Sequence, residues 1–568
     1  MRFARRVLPS ILALGLAALP LGCGVNAPWQ GALGRDGGYN IHGTNKDREI
    51  PLTAGVPPLG QQPVIPRDAA MDGKTNVSIV YTNDIHSRVD PFPTDFYYKF
   101  YAGKGGFGRI ATAIRDIKAK NPATIAVDSG DYLQGTPYFN FYKGEVEMKL
   151  MEAAGFDAIT IGNHEFDNGV DDLKRVLPFY KGSLITTNMT FTPEVAQRYT
   201  VKKVGNVRVG MFALITEVNG LVSAPNFKGA RYYDPVKVAQ AAVAKLKKEA
   251  DVIVLLSHVG TVPPYSEEGA DDHEVEEEQI TDEKIAERVP GIDVIVSGHT
   301  HVMIKAPKII RNKATGAKTF IVSSGMGGGY LGKADLTLEK GKVTYLNNEM
   351  VPLTASVPNA TDIEQMVSPF RSKMDATLKV DIGEAKGTFK RYGTKDTEST
   401  LNNLIADATL WAARSKNPKV DFAVMSSGTP RNHIMAGPIS VEDVFYALPF
   451  DNKIDIVTVN GKQALEMLTV QRRPTDNKRH SISGVTYTLT KNFGPIQDVV
   501  IGGQPLDLNK TYVVAVNDYM AEGSSGFTML PGNPRLQTGI LQRDALIQYI
   551  KTQKVLTPDT GRIKLLTP

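Results

Sequence analysis

Five short apolar segments, each followed closely by residues that can ligate metals, constrain the fold of this chain most strongly. The segments are rich in Val and Ile and almost continuously apolar. This pattern predicts β-strands that are buried on both faces, as in parallel sheets. The segments and their polar residues are 77–81 with Asp84 and His86; 123–127 with Asp128 and Asp131; 158–161 with Asn163, His164 and Asp167; 252–256 with His258; and 294–296 with His299 and His301.

Helical patterns separate several of these segments, at 108–118, 146–154 and 235–248. Strands that alternate with helices predict a layered α/β domain. In such sheets, ligands bind beyond the carboxyl ends of the strands. Five of the nine histidines lie at these strand ends. The sequence therefore predicts one site that collects side chains from all five strands.

The residue types at the strand ends indicate a metal centre. The chain has a single cysteine, so a site with several ligands must use nitrogen and oxygen donors. Asp, Asn and His suit hard or borderline divalent ions such as Mn, Zn, Fe or Mg. The set is larger than one ion needs. It favours two ions, ~3.5–4 Å apart and joined by a carboxylate.

The motifs around these residues resemble the signature of the calcineurin-like metallophosphoesterases. They read Asp-Ile-His at 84–86, Gly-Asp at 130–131, Gly-Asn-His-Glu at 162–165 and Gly-His-Thr-His at 298–301. The longer forms at 82–88 and 162–167 are similar to the bacterial 5′-nucleotidase/UDP-sugar hydrolase family. The resemblance implies an α/β fold. It consists of a layered β-sandwich with helices, which is the metallophosphoesterase domain, and a separate mixed α/β C-terminal domain.

The resemblance also implies hydrolysis of a phosphate ester by metal-activated water, with two divalent ions (Zn, Mn, Mg or Co). His164 would stabilise the charge that develops on the phosphoryl group or the leaving oxygen, and Asp167 would orient its ring. Without the family, Asp167 reads equally well as a carboxylate at the start of a helix. The implied ligands are Asp84, His86 and His301 for the first ion, Asn163, His258 and His299 for the second, and Asp128 as the bridge.

Substrate recognition falls in the second domain by the same resemblance. Arg431 would clamp the phosphate, while Phe450 and Tyr519 would stack a nucleobase between them, worth ~1–3 kcal/mol. Ser427, Thr429, Pro430 and Ser525 depart from the family pattern. Pro430 stands in a turn that is usually rich in glycine, and Ser525 replaces the carboxylate that binds the ribose. Without the family, Arg431 is a surface arginine and the two aromatic residues belong to a core.

The first residues have the pattern of an export signal. Three arginines within the first six residues precede an uncharged apolar stretch, 7–21, which is too short to span a membrane comfortably. The sequence before Cys23 resembles a bacterial lipobox, although Pro20 stands where Leu is usual. We expect cleavage after residue 22 and a lipidated Cys23. The protein would then be anchored to a bacterial membrane, facing the periplasm or the cell exterior. A soluble export signal with an incidental cysteine is the alternative.

The chain is expected to divide into five parts. Its net charge of +5 over 568 residues is too small to indicate a nucleic-acid binder. The expected partners are a small-molecule phosphate ester, a nucleotide by the resemblance, and a membrane through the lipidated N-terminus, with no obligatory protein partner. The five parts are a signal peptide at 1–22, a flexible tether at 23–76, the metallophosphoesterase domain at 77–353, a linker helix at 354–380 and the substrate-binding domain at 381–568.

Two other functions are compatible with the sequence. The same metal site could act as a UDP-sugar pyrophosphatase, a cyclic-nucleotide phosphodiesterase or a thiosulfohydrolase, and the altered residues around Arg431 and at Ser525 motivate this alternative. The chain could also be a surface binding protein that kept only the fold. Loss of metal ligands would mark such a protein, but all seven implied ligands are present.

Overall fold

The structure, a computed structural model, describes residues 52–67, 73–219, 221–262, 279–393, 398–470, 480–490 and 496–566. The predicted signal peptide, Cys23 and most of the predicted tether lie outside these residues. Within the described part of the chain, no helix combines the length and the apolar character that crossing a membrane requires.

One stretch of the predicted tether, 52–67, lies against the first domain. The main-chain nitrogen of Thr53 donates to the carbonyl of Tyr232 at 2.8 Å. The main-chain nitrogen of Gln62 donates to the hydroxyl of Tyr199 at 3.1 Å. This stretch therefore contacts the first domain at several points, although most of its residues are exposed, and the predicted tether of 23–76 stays a prediction.

Two sheets, each six-stranded among the described residues, form the centre of the first domain. The order of the first is β14-β13-β1-β2-β3-β4 and that of the second is β11-β12-β10-β9-β7-β6. Strands β1 to β4 are parallel, as are β7, β9, β10 and β12, which agrees with the predicted parallel strands. The strands are β1 Lys74–Thr82, β2 Thr124–Asp128, β3 Ala158–Ile159, β4 Ser183–Leu184, β5 Met189–Thr190, β6 Tyr199–Val204, β7 Val207–Ile215, β8 Arg231–Tyr232, β9 Val252–His258, β10 Val294–Ser297, β11 Met303–Arg311, β12 Lys318–Ser324, β13 Tyr330–Glu339 and β14 Lys342–Pro352.

The two sheets pack face to face, and helices cover their outer faces. Val127 from the first sheet and Val254 from the second belong to the apolar cluster between them. Helices on one side bury residues such as Ile110, and α5 and α6 cover the other side. The predicted layered sandwich with helices is confirmed. The helices are α1 Phe107–Lys120, α2 Pro137–Tyr142, α3 Glu145–Ala154, α4 Val170–Val176, α5 Pro235–Leu246, α6 Asp282–Arg288 and α7 Thr361–Leu378.

Helix α7 lies within the predicted linker and leads into a separate mixed α/β domain. That domain contains a five-stranded sheet in the order β19-β16-β23-β18-β24 and a four-stranded sheet in the order β22-β21-β20-β26, counted among the described residues. Its elements are β15 Asp381–Ala385, α8 Thr400–Lys416, β16 Phe422–Met425, β17 Gly437–Ser440, α9 Val441–Ala447, β18 Lys453–Asn460, α10 Gly461–Thr469, β19 Ser481–Ser483, β20 Val485–Thr490, β21 Ile496–Ile501, β22 Gln504–Pro505, β23 Thr511–Asn517, α11 Asp518–Ala521, β24 Arg535–Leu541, α12 Gln542–Gln553, β25 Val555–Leu556 and β26 Ile563–Leu566.

Candidate metal centre

Polar side chains from five strand ends meet at one edge of the sandwich. The strands that carry them are parallel within each sheet, so their carboxyl ends open on the same side. Two groups of three side chains could each hold a metal ion. Within each group, one ligand atom from every residue lies within 4.8 Å of those of the other two. We call them the first cluster (Asp84, His86 and His301) and the second cluster (Asp131, His258 and His299).

The first cluster consists of the three residues that the resemblance assigned to one ion. Nε2 of His86 lies 2.8 Å from Nε2 of His301, and Nε2 of His301 lies 3.6 Å from Oδ1 of Asp84. Nδ1 of His86 faces the carbonyl of Gln134 at 3.2 Å, which favours a proton on Nδ1 and leaves the Nε2 lone pair free. Two imidazole nitrogens bound to one Zn at ~2.0–2.1 Å lie roughly 3 Å apart when they occupy adjacent positions. The nitrogen spacing therefore fits a shared ion.

The second cluster is fixed by hydrogen bonds behind its ligand atoms. Nε2 of His258 lies 3.0 Å from Oδ2 of Asp131. Nδ1 of His258 donates to the carbonyl of Ser129 at 2.7 Å, so Nε2 is the ring nitrogen that faces the cluster. Oδ1 of Asp84, from the first cluster, lies 3.9 Å from the same Nε2. The two clusters are therefore neighbours and form one centre.

The structure corrects the predicted bridge. Both carboxylate oxygens of Asp128 are bonded locally, to the hydroxyl of Thr82 at 2.7 Å and to the main-chain nitrogen of Gly130 at 2.8 Å. Asp128 is the last residue of β2 and holds the turn that follows it. Asp131, at the end of that turn, lies in the second cluster instead. The assignment of Asp128 as a metal ligand was wrong, and Asp131 is the carboxylate that the fold brings to the centre.

Asn163 supplies an independent test of whether a cation fits here. Its side chain is buried, and its Oδ1 has no hydrogen-bond partner among the described residues. A buried amide oxygen without a partner carries a desolvation penalty of roughly 1–3 kcal/mol. A bound cation would remove that penalty. The donor set of imidazole, carboxylate and amide oxygen also matches a divalent ion.

The backbone is strained where the ligands lie. Asp84, His86, Asp131, His299 and His301 all have positive φ, between 51° and 73°. This left-handed region is uncommon for residues other than glycine and costs of order 1–3 kcal/mol each. Strain that is concentrated on the ligands of one site indicates that the surrounding structure is built to hold them.

The electrostatics of the centre favour neutral histidine ligands. Burial, followed by the charge of neighbouring histidines, lowers the pKa of His299 to about 3 and that of His86 well below its usual value. His258 behaves differently, because the Asp131 and Asp84 carboxylates outweigh burial and raise its pKa to about 10. A cation on Nε2 of His258 would replace that proton, as metal binding does elsewhere.

His164 and Asp167 form a pair beside the centre. Nδ1 of His164 lies 2.9 Å from Oδ2 of Asp167, and the His164 ring lies 5.3 Å from that of His86, centroid to centroid. Burial lowers the pKa of His164, but the Asp167 and Asp131 carboxylates outweigh it and raise the pKa overall. The geometry allows Asp167 to hold Nδ1–H and to leave Nε2 free for a reacting group.

A cavity of about 320 Å³ lies beside His164, and residues of both domains line it. Phe450 and Tyr519 both line it, with Arg431, as the resemblance implied. The guanidinium carbon of Arg431 lies 5.0 Å from the centroid of the Phe450 ring. The main-chain nitrogen of Arg431 donates to the carbonyl of Ala447 at 2.9 Å, which ties its turn to the end of α9.

A smaller cavity, of about 80 Å³, opens on the first cluster. Arg431 lines this cavity as well, and Arg88 and Arg391 join it. Nη1 of Arg391 donates to the hydroxyl of Tyr97 at 2.9 Å. Guanidinium groups are well suited to phosphate oxygens. The chain therefore collects three arginines where an anionic substrate would approach the centre.

Pro430 and Ser525, which depart from the family pattern, lie next to the larger cavity and at it, respectively. Ser525 lines the cavity and has a φ of 56°. Its hydroxyl accepts a hydrogen bond from that of Ser426 at 3.4 Å. Pro430 lies between Thr429 and Arg431, which both line the cavity. Ser426, Thr429 and Ser525 therefore contribute neutral hydroxyls to the lining of this cavity.

Several residues of the site escaped the sequence analysis. Asp131 and Glu165 lie in the Gly-Asp and Gly-Asn-His-Glu motifs, but the sequence alone assigned neither residue a role. The Glu165 carboxylate accepts hydrogen bonds from the main-chain nitrogens of Asp131, Leu133 and Gly162, at 2.9, 3.0 and 2.5 Å, so it holds the turn that carries Asp131. Arg88 was inside a quoted motif. No local pattern marks Arg391, which reaches the site only through the fold of the second domain.

Comparisons with known proteins agree with this architecture. Residues 77–303 match the family model of the calcineurin-like phosphoesterases, and residues 379–532 match that of the 5′-nucleotidase C-terminal domain. The chain is 26% identical to the 5′-nucleotidase of Vibrio vulnificus, over 85% of this chain and 91% of that protein. It is 28% identical to the 5′-nucleotidase of Diplobatis ommata, over 86% and 89%. The crystal structure of a 5′-nucleotidase precursor from Thermus thermophilus is similar, with a TM-score of 0.73 and 29% identity, over 87% of this chain and 100% of that one.

Proposed function

The chain belongs to the calcineurin-like metallophosphoesterases that carry a 5′-nucleotidase C-terminal domain, and on this premise we propose that it releases phosphate from nucleoside 5′-monophosphates. The reaction forms a P–O bond from water and breaks the ester P–O bond, which yields a nucleoside and inorganic phosphate. The observation that carries the proposal is the junction of the two ligand clusters with a cavity that Phe450, Tyr519 and Arg431 line.

The enzyme depends on divalent metal ions, and we propose that it binds two of them. The first cluster would hold one ion. His258, His299 and Asn163 would hold the other, with Asp131 between the two sites. When bound, Zn, Mn, Mg or Co at these positions would lower the pKa of water and offset the negative charge of the phosphoryl group. Two observations support this assignment: Oδ1 of Asn163 has no hydrogen-bond partner among the described residues, and backbone carbonyls engage Nδ1 of His86 and of His258, so that Nε2 of each ring faces the clusters.

The proposed roles of the chain's own residues follow from their positions. His164 would donate from Nε2 to the phosphoryl or leaving oxygen as negative charge develops there, since its Nδ1 is engaged by Asp167. Asp167 would keep the ring oriented and favour its protonated form. Arg431 lines both cavities, so its guanidinium can contact the phosphate wherever the nucleoside enters.

The larger cavity supports a nucleotide as the substrate. Phe450 and Tyr519 can offer aromatic faces to a base, and base stacking on an aromatic side chain is worth ~1–3 kcal/mol. Ser426 and Ser525 present hydroxyls, which can contact ribose without a carboxylate. The similar proteins from Vibrio vulnificus and Diplobatis ommata are both named 5′-nucleotidases.

The test is a panel of substrates and metals. Metal-stripped protein would be reloaded separately with Zn, Mn, Mg or Co and given AMP, GMP, UMP, UDP-glucose, a cyclic nucleotide or thiosulfate. We expect phosphate and nucleoside release from the monophosphates, at the highest kcat/KM of the panel. The control is the Asp131→Asn variant under identical conditions. Preferred cleavage of UDP-glucose or the cyclic nucleotide would contradict the proposal that nucleoside 5′-monophosphates are the substrates. If no substrate is hydrolysed with any of the metals, the proposed hydrolase activity is contradicted.

We also propose that the mature protein is exported and anchored to a bacterial membrane through Cys23. Support comes from the basic start, the apolar stretch at 7–21 and the lipobox-like residues before the cysteine. More than one acyl chain is needed for stable anchoring, and lipoprotein processing would supply it. Membrane fractionation should find the wild type in the membrane and the Cys23→Ser variant out of it or unprocessed. A soluble wild type with an unmodified Cys23 would contradict the proposal.

A further inference from the structure

A buried carboxylate joins the two strands that carry the histidines of the second cluster. Asp282, the first residue of α6, has no solvent-exposed surface. Its Oδ1 accepts a hydrogen bond from the hydroxyl of Ser257 at 2.5 Å, and its Oδ2 accepts one from the hydroxyl of Ser297. Ser257 and Ser297 lie opposite each other in the parallel pair of β9 and β10. One carboxylate therefore fixes the carboxyl ends of both strands.

Both serines are next to metal ligands in the chain. Ser257 immediately precedes His258, and Ser297 lies two residues before His299. The main-chain nitrogen of Asp282 also donates to the carbonyl of Gly260 at 2.9 Å, on the far side of His258. Asp282 thus holds the segment that carries His258 at two points, through Ser257 and Gly260.

This segment has little freedom to move without losing contacts. Gly260 has a φ of 103°, and a Cβ added there would lie 2.8 Å from the side chain of Thr300. The hydroxyl of Ser257 additionally accepts a hydrogen bond from the main-chain nitrogen of Val259 at 3.3 Å. Residues 257–260 and 297–301 are therefore packed against each other.

Burial of a carboxylate is costly unless strong hydrogen bonds satisfy it, so a buried aspartate away from the ligand clusters needs a reason. From this geometry we propose that Asp282 is a positioning residue, which sets His258 and His299 at the spacing that the second metal ion requires. The inference rests on the proposed metal centre. Hydrogen-bond partners that orient metal ligands commonly contribute about 10- to 100-fold in metal affinity.

The strand pair offers a matched control at its opposite end. Asp293 comes just before β10, and its Oδ2 accepts a hydrogen bond from the main-chain nitrogen of Ile253, at the start of β9. Asp282 and Asp293 therefore both join β9 to β10 through one carboxylate. Only Asp282 does so beside the ligands. Loss of either should lower stability, but only loss of Asp282 should loosen a metal.

The experiment measures metal binding directly. The wild type, Asp282→Asn, Asp282→Ala and Asp293→Ala are stripped and dialysed against a series of Zn or Mn concentrations, and the bound ions per chain are counted. For both Asp282 variants we expect one ion held as in the wild type and a second with a Kd raised about tenfold or more. Excess metal should restore activity. Asp293→Ala should bind both ions like the wild type, although its unfolding midpoint falls.

Ser297→Ala is a second variant in case the Asp282 changes prevent folding, since it removes one hydroxyl and keeps the carboxylate. A weaker second ion in this variant supports the positioning role. Wild-type affinity for both ions in Ser297→Ala and in a folded Asp282 variant would overturn it, while leaving the proposed function intact. A wild-type protein that binds no divalent ion would overturn the metal centre itself.

Discussion

The main-chain nitrogen of His164 donates a hydrogen bond to Oδ1 of Asp131 at 2.8 Å. The other oxygen of Asp131 lies 3.0 Å from Nε2 of His258. One carboxylate therefore contacts both the loop of the proposed proton donor and a proposed metal ligand. Asp131 itself has a φ of 57°, so the fold holds it in an uncommon backbone conformation. We therefore expect a change at Asp131 to affect both metal binding and the position of His164.

Substitution of the two aspartates in this turn should separate their roles. Asp131→Asn removes a charged ligand, so we expect binding of at least one ion to weaken by more than the about 10- to 100-fold that loss of a ligand's hydrogen-bond partner causes, with a loss of kcat/KM. Asp128→Asn should keep both ions, because its carboxylate is bonded to Thr82 and Gly130, and should lower stability by about 1–2 kcal/mol. Metal counting, phosphate release and urea unfolding would be compared for the two variants. If Asp128→Asn loses metal and Asp131→Asn does not, the corrected assignment is wrong.

The pair of His164 and Asp167 should control turnover rather than binding. His164→Ala should lower kcat for AMP by about 10²- to 10⁴-fold, the usual contribution of a positioned acid or base, with little change in bound metal. Asp167→Asn keeps a hydrogen-bond acceptor but removes the charge that raises the pKa of His164, so a smaller loss of kcat is expected.

Asp172→Asn is the control for Asp167→Asn. Asp172 pairs with Arg175 on α4 at 2.7 Å, also three residues apart, but it lies outside both cavities. Its substitution should leave kcat unchanged. Equal losses in the two variants, or full activity in His164→Ala, would show that the pair does not take part in the reaction.

The two aromatic residues of the larger cavity should determine the affinity for the base. Phe450→Ala or Tyr519→Ala should raise KM for AMP by roughly 5- to 150-fold, which corresponds to ~1–3 kcal/mol of stacking. Ribose 5-phosphate has no base, so its kcat/KM should change little in either variant. Tyr345→Ala, on the exposed face of β14, is the control. An equal loss for AMP and ribose 5-phosphate would mean that the aromatic residues support the fold instead of the base.

The strand-end pattern was informative because it combines two independent constraints. Buried β-branched runs indicate parallel strands, and parallel strands must bring their ends together, so His258 and His299 could be placed together from the sequence. The sequence could not show in the same way which aspartate after β2 contributes its carboxylate to the metal centre. Asp128 and Asp131 flank one turn, and only the backbone conformation decides which side chain faces the centre. The turn uses the carboxylate of Asp128 to cap its own nitrogen at Gly130, which leaves Asp131 for the site.

Contacts between distant segments lay beyond any local pattern. Asp282 begins a helix and reaches two strands that are 25 and 15 residues away in the chain. Arg391 reaches the small cavity because the second domain packs against the first, where its guanidinium meets Tyr97. The contacts of residues 52–67 could not be predicted from the sequence for a related reason. The composition of these residues suggests a linker, and only the hydrogen bonds to Tyr199 and Tyr232 reveal that they contact the first domain.

Glu147 should make stability depend on pH. It is fully buried on α3, one oxygen accepts from the hydroxyl of Ser87 at 2.5 Å, and the other has no hydrogen-bond partner among the described residues. Burial raises its pKa to about 7, although the Ser87 hydrogen bond opposes the shift. In the unfolded chain a glutamate titrates near ~4.3. The folded protein therefore binds a proton that the unfolded chain has lost between these values. This contribution to stability is present at low pH and is lost as the pH rises to about 7.

Glu147→Gln cannot titrate, so it should remove this dependence. Relative to the wild type, the variant should gain on the order of 3 kcal/mol in unfolding free energy between pH 5 and pH 8, whatever its constant offset. Urea unfolding of metal-free protein at pH 5, 6, 7 and 8 would measure it. Met151→Ala is the control, because it removes buried apolar atoms from the same helix and should lower stability equally at every pH. If the difference between Glu147→Gln and the wild type is the same at pH 5 and pH 8, Glu147 is ionised throughout and its burial does not control the pH profile.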